Sequence, residues 1–423
     1  MIWLFLGSLF FFLLIGVPVA ISMLLSAIAM MLALGIFDTQ IIAENLINGA
    51  NSFALMAIPF FVLTGEIMNV GGISRRIVDF ASSLVGHIRG GLGYVMIISG
   101  VIFAGLSGSA VADTAALGAI LIPMMVSKGY NVNRSTGLVA STGILGTIIP
   151  PSIPMILFGV IGGVSITKLF MSGIVPGILL ATGLVTVWYF VAKKDNAQTM
   201  PKATKAERWK AFKRAFWALL LPLIIIVGLR GGIFTPTEAG VVSAVYALIV
   251  SFGYREMKLR DLPKVFIEAT KTTGIVMFLA ATAIVSGYVI TVAQVPVELA
   301  GFLQGFTTNP TILMIIIMIF LLLVGMVMDL TPAILIFTPV LLPVITQVGI
   351  DPVYFGLLMV INLSIGLITP PVGTVLYVGC GISKISLVEI SKGVLPFLIV
   401  EIIILFLLVL FPELVTVPLG WFA

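Results

Sequence analysis

Two short stretches gather the side-chain oxygens of an otherwise apolar sequence: Ser107, Ser109 and Asp113 in the first, Asp329 and Thr331 in the second. Downstream of each stands a Gly-x-Ile-x-Pro-Pro run, Gly146–Pro151 and Gly366–Pro371, the latter bearing Thr369. Hydroxyl, carboxylate and free carbonyl oxygens are what a hard cation takes as ligands. Unwound backbone at membrane depth supplies such carbonyls to Na⁺, and half-helix N-termini draw anions. The expectation is at least two Na⁺, one per stretch. The first set is Ser107, Ser109 and Asp113 with backbone from Gly146 and Ile149. The second is Asp329, Thr331 and Thr369 with backbone from Gly325 and Gly366. Ser109, Thr147, Pro150, Pro151, Pro370 and Pro371 border the same breaks and are candidates for substrate contact.

Each assignment has a plainer competitor. Ser and Thr in membrane helices commonly satisfy nearby backbone, and Asp113 is placed to cap its own chain. A carboxylate at the bilayer centre, however, costs roughly 2.5–3.5 kcal/mol on insertion scales and by default marks a partner or a pathway. Glu66 falls near a membrane end. Glu238 follows Thr235-Pro-Thr237 at a helix start, where N-capping accounts for it. Glu401 lies inside the last apolar run, either as a subunit contact or with its head snorkelling to the interface. One His (His87) and one Cys (Cys380) leave no material for a metal cluster, a disulfide framework or a nucleophile–base pair. The chain is expected not to be an enzyme.

The elements that must hold these residues are membrane helices. Apolar residues make up 60% of the 423 positions and charged ones 9%, with mean hydropathy +1.25. Runs such as Thr311–Met328 and Val394–Phe411 are of the length, about 18 residues or more, that crosses a bilayer. Met1–Leu34 has no basic leader or small-residue cleavage site. At roughly 50 Å as one helix, it is either one tilted span or two divided at Pro18. The net charge of +5 sits in loops and points to no nucleic acid. The basic segments Lys193–Arg214 and Tyr254–Lys264 belong in the cytoplasm.

An ungapped shift of 220 positions superposes Gly105 on Gly325, Leu121 on Leu341, Pro123 on Pro343 and Gly129 on Gly349. It also superposes Gly146 on Gly366, Pro150-Pro151 on Pro370-Pro371 and Gly159 on Gly379. Shared Gly and Pro mean shared chain path. Loop charges differ between the copies. Ser74–Gly90 holds Arg75, Arg76 and Arg89, whereas Gln294–Pro310 has Glu298 and no Lys or Arg. Lys128 and Arg134 likewise face the acidic Gly349-Ile-Asp-Pro352. The fold class expected is therefore an all-α polytopic membrane protein of two inverted-topology repeats, each with a re-entrant helical hairpin and a discontinuous helix. That architecture belongs to secondary transporters, with sites where the copies meet.

Five motifs in order, Ser107-Gly-Ser-Ala-Val-Ala-Asp-Thr114, Gly146-Thr-Ile-Ile-Pro-Pro-Ser-Ile-Pro154, Phe234-Thr-Pro-Thr-Glu-Ala-Gly240, Gly325-Met-Val-Met-Asp-Leu-Thr-Pro332 and Gly366-Leu-Ile-Thr-Pro-Pro-Val-Gly373, resemble the large membrane subunit of TRAP (tripartite ATP-independent periplasmic) transporters. The resemblance covers essentially the whole chain. It implies a bacterial inner-membrane, Na⁺-driven importer of an organic acid such as sialic acid, another sugar acid or a C4-dicarboxylate. It also implies a periplasmic substrate-binding protein and a small membrane subunit of about four helices, expected as a separate chain. By similarity to divalent-anion/sodium symporters, the chain divides for elevator motion. Residues 1–91 are scaffold helices with a first arm, 92–166 the first transport repeat, and 167–311 scaffold with the basic loop 193–215 and a second arm. Residues 312–386 are the second transport repeat and 387–423 a C-terminal membrane helix. The nearest competing reading is a stand-alone Na⁺/organic-anion symporter needing no binding protein; a passive channel and an intramembrane enzyme stand further off.

Overall fold

Glycine and proline set the boundaries of nearly every helix. The computed structural model describes residues 1–194, 198–304, 307 and 309–422. Residues 195–197 of the basic loop, 305, 306 and 308 of the second arm, and 423 therefore lie outside the described residues. The N-terminal apolar stretch is two helices, α1 (Ile2–Leu14) and α2 (Val19–Leu34), because Pro18 takes the N-cap of α2 after Gly16 turns the chain at φ +85°. α3 (Thr39–Ala50) and α4 (Ala57–Val70) meet at a 50° bend. α5 (Ile73–Val85) buries Ile73, Ile77, Val78 and Ala81 and exposes Arg75 and Asp79, the one-sided pattern of a helix lying along a surface.

Next come α6 (Gly91–Ser107), α7 (Ala110–Ser127), α8 (Val132–Gly143), α9 (Ile153–Gly162) and α10 (Ile166–Ala192). They are followed by α11 (Lys205–Arg230), α12 (Pro236–Gly253), α13 (Leu262–Val292) and α14 (Val295–Gln304). The chain closes with α15 (Pro310–Gly325), α16 (Leu330–Gln347), α17 (Pro352–Gly366), α18 (Thr374–Ser383), α19 (Leu387–Leu410) and α20 (Glu413–Phe422). α7 and α16 begin at Ala110 and Leu330 and end at Ser127 and Gln347, each pair 220 residues apart. The turns that follow use Gly129 and Gly349 at φ +84° and +77°, then N-caps from Asn131 and Asp351. Both proline pairs carry a cis peptide bond.

Residues 387–423, read from the sequence as one membrane helix, are two. α19 stops at Leu410, and the Pro412 carbonyl accepts from the N–H of Val415 at 2.9 Å to start α20. Among the described residues seven helices are long and apolar enough to cross a membrane, eight if the bent α3–α4 pair is one span. α15, α17, α18, α6 and α9 are apolar but shorter, which suits spans interrupted part-way.

α8 and α17 form the centre. From Ser135 to Gly143, and from Val353 to Gly366, every residue is buried, so each helix is surrounded rather than one-sided. α7 and α6 pack on α8, α16 and α15 on α17, and α19 runs against both central helices. Outward-facing Leu223, Val227, Ile249 and Leu323 are each more than half exposed, an apolar surface suited to lipid.

Candidate ion and substrate site

The first break begins where α6 ends at Ser107. Gly108 turns at φ +68°, and Ser109 starts α7 with its hydroxyl accepting from the Ala112 N–H at 3.4 Å. The Ser107 hydroxyl accepts from the Ser109 N–H at 3.2 Å and donates to Asp113 Oδ1 in a close contact. Asp113 is 1% exposed, and its Oδ2 has no hydrogen-bond partner among the described residues. That oxygen points at Gly146, in the 3₁₀ turn Ile144–Thr147 that ends the central α8 segment. A Cβ on Gly146 would collide with Oδ2 and would stand 3.4 Å from the Ser109 carbonyl. Ser107, the Ser109 carbonyl, Asp113 and Gly146 therefore converge. A buried carboxylate oxygen lacking a donor and flanked by a carbonyl is an arrangement that fits a cation.

Two further members of the expected set, Ser109 and the Ile149 backbone, stand at the start of α7 and just beyond the turn. The Ser109 hydroxyl is committed to capping, and its carbonyl is the group that faces the turn. Ile149 lies beyond the turn with its side chain against Gly177 of α10.

The second break is tied to the other proline pair by backbone. A Cβ on Gly366 would lie 2.6 Å from Gly325 Cα and 2.7 Å from the Gly325 carbonyl oxygen. The Val372 N–H donates to the Met326 carbonyl at 3.2 Å. Asp329 heads α16, and its Oδ1 accepts from the Thr374 hydroxyl at 3.2 Å. Thr369 donates to the Ile365 carbonyl of the preceding α17 at 2.7 Å, the backbone-satisfying role open to any membrane threonine. Thr331 is partly buried and makes no side-chain hydrogen bond among the described residues.

The two breaks meet in the protein centre. The Thr147 and Ser364 hydroxyls stand 2.6 Å apart, both buried, joining the end of the α8 segment to α17. The Ser152 hydroxyl donates to the Thr147 carbonyl at 2.5 Å and caps α9. Exposure is unequal. Asp113, Thr147, Pro150 and Pro151 are buried, whereas Asp329 and Pro371 are exposed and Pro370 is intermediate. Replacing Thr147 by Val should lower stability by about 0.5–1.5 kcal/mol, the net worth of one hydrogen bond, read from thermal unfolding in detergent. Thr147→Val and Ser364→Ala should couple. Costs that add within about 0.3–0.5 kcal/mol would show the contact to be idle.

Ser364 and Thr374 were not singled out from the sequence. Thr374 had a visible signal as a hydroxyl opening a helix after Gly373; Ser364, inside an apolar run, had none. Glu238 caps α12, its Oε2 accepting from the Thr235 N–H at 2.8 Å. Glu401 neither snorkels nor faces another subunit, being fully buried within its own chain. Among the described residues no cluster of His, Cys, Asp or Glu could hold a transition metal.

Over residues 6–414 the chain matches the family described as tripartite ATP-independent periplasmic transporter, DctM component. It is 63% identical over 399 residues to a putative TRAP transporter large permease protein of Haemophilus influenzae, covering 94% of this chain and 100% of that one. It is 53% identical to the 2,3-diketo-L-gulonate TRAP transporter large permease protein YiaN of Escherichia coli (99% and 98% covered), and 39% identical to the sialic acid TRAP transporter large permease protein SiaM of Vibrio cholerae (94% and 93%). The crystal structure of the Alcanivorax borkumensis YdaH transporter superposes with a TM-score of 0.64, covering 90% of this chain and 88% of that one. At 14% identity this is a likeness of fold alone.

Proposed function

The chain belongs to the DctM component family of tripartite ATP-independent periplasmic transporters, and we propose that it is the Na⁺-coupled large permease subunit of an organic-acid importer working by an elevator motion. It is a multi-pass inner-membrane transport protein and not an enzyme. The family implies a small membrane subunit and a periplasmic binding protein as partners. The transported molecule is proposed to be a sugar-derived acid, since the relatives named for 2,3-diketo-L-gulonate and sialic acid match along nearly their whole length.

The observation that carries the ion reading is the orphaned Asp113 oxygen facing Gly146 beside the Ser109 carbonyl. One Na⁺ is assigned there, held by Asp113 with Ser107 orienting it. A second is assigned to Asp329 with backbone of the apposed Gly325 and Gly366. Bound ions would neutralise two carboxylates and leave the half-helix N-termini of α9 and α18 free to meet a substrate carboxylate. Thr147 and the two proline pairs precede those N-termini in the chain and are the proposed substrate contacts. The 220-residue correspondence of helix ends, together with the opposite loop charges, supports two inverted repeats. Residues 92–166 and 312–386 would move as the transport domain against the remaining scaffold.

Uptake of labelled organic acid into proteoliposomes, with binding protein and small subunit present, should follow an imposed Na⁺ gradient. Uptake indifferent to Na⁺ would refute the coupling. Uptake by this chain alone, without binding protein, would instead make it a lone symporter.

A further inference from the structure

Among the described residues, one carboxyl group besides Asp113 is fully buried. Glu401 is 0% exposed, fourteen residues past the first residue of the 24-residue α19, and neither of its oxygens has a hydrogen-bond partner among the described residues. Val394, Glu401 and Leu408, spaced by sevens, share one face of α19. Val394 lies against Gly137 of α8, and the Leu408 carbonyl accepts from the Tyr354 hydroxyl of α17 at 2.8 Å. Glu401 lies on this buried face of α19, a helix that packs on both central helices. Because the start of α17 lies against the end of α19, the two helices run antiparallel. Eight residues on from Tyr354, about 12 Å at 1.5 Å per residue, α17 brings Asn362 to the level of Glu401. Asn362 is also 0% exposed. Its Nδ2 donates to the Met318 carbonyl of α15 at 2.7 Å, which leaves Oδ1 as acceptor, and that atom too has no partner.

Orphaned acceptors at one level, with no donor, require something positive between them. No side chain among the described residues supplies it. Of the elements packed against α19, α15 has no titratable residue and α8 offers only Arg134, in its first turn. α10 offers Lys168 and Tyr189, both exposed, while its residue level with Glu401 is Gly183, against Val400 and Ile404. α17 offers Tyr354, already bonded to α19. α18 offers Tyr377, exposed, and Cys380; α20 offers Glu413, beyond the end of the span. On α19 itself Glu389 and Lys392 sit in the opening turns, where Glu389 caps the helix through Ser386. The rest of the Glu401 face is Phe397, Leu398 and Leu405. An ionised carboxylate with no counter-charge is untenable in such surroundings. A metal cation would need more oxygen ligands than this seam contains.

We propose that Glu401 and Asn362 form a proton-binding site inside the membrane, at the seam of α19 and α17, distinct from the Na⁺ sites assigned to the helix breaks. The carboxylate takes one proton from water and becomes a neutral acid, whose O–H donates to Asn362 Oδ1. Asn362 stands one turn before Gly366 on the helix that also bears Ser364, so occupancy of this site is felt at the second break. Infrared spectra of the full-length protein in lipid nanodiscs at neutral pH test this without reference to transport. A carboxylic-acid C=O band is expected in the wild type, lost in Glu401→Gln and shifted in Asn362→Ala, with Glu401→Gln keeping wild-type thermal stability. Identical carboxylic-acid regions in wild type and Glu401→Gln would overturn the proposal. So would disappearance of the band on adding Na⁺, which would give the site to that ion.

Discussion

Asp113→Ala is expected to abolish Na⁺-driven uptake while the protein still inserts and folds. The carboxylate is buried, makes one hydrogen bond among the described residues, to Ser107, and presents its second oxygen to Gly146. Removing it deletes a side-chain charge from the first assigned Na⁺ position, and the hydroxyl and carbonyl oxygens left behind cannot replace it. Ser107→Ala should do less. It removes only the group that orients the carboxylate, and partners of that kind are worth about 10–100-fold in ion affinity. The half-saturating Na⁺ concentration should rise by that factor with the maximal rate retained. Asp113→Ala with an unchanged Na⁺ dependence would mean that the carboxyl merely caps its own turn.

Gly366→Ala should loosen the packing of α15 on α17. The added carbon would fall 2.6 Å from Gly325 Cα and 2.7 Å from both the carbonyl carbon and oxygen of Gly325. All three are backbone atoms, so no rotamer change relieves the overlap; α15 must move off α17. Overpacking of a tight core typically costs about 1–3 kcal/mol, and here it also displaces the Met326 carbonyl that receives the Val372 N–H. We expect a clear fall in thermal stability and loss of uptake. Gly274→Ala, in α13 where a Cβ would meet nothing within 4 Å, is the control and should be neutral or stabilising by up to about 1 kcal/mol. Equal behaviour of the two variants would contradict the close apposition.

The parts of this architecture legible in the sequence are those that local chemistry dictates. Gly108, Gly129, Gly349 and the proline pairs mark breaks because glycine takes a positive φ at little cost and proline removes a helical hydrogen bond. The self-match at 220 positions anticipated that α7 and α16 would have the same limits. Ser107, Asp113 and Gly146 were grouped because break and polar residue coincide, and the structure brings the three together. What escaped depends on which faces meet. Ser364 corresponds to Ile144 under the same shift, so the repeat gave no hint of its contact with Thr147. The bond of the Thr369 hydroxyl to the Ile365 carbonyl and the capping bond of the Ser109 hydroxyl likewise had no signal in the spacing. Glu401 reads as a subunit contact or a snorkelling head from its place in the last span, yet it is fully buried within its own chain. The division after Leu410 was within reach, because Pro412 announces it.

Radiosodium binding to the purified full-length protein tests the central claim most directly. Two ions per chain are expected in the wild type, one after Asp113→Ala and one after Asp329→Ala. A stoichiometry that neither substitution alters would contradict the placement of cations at the two helix breaks.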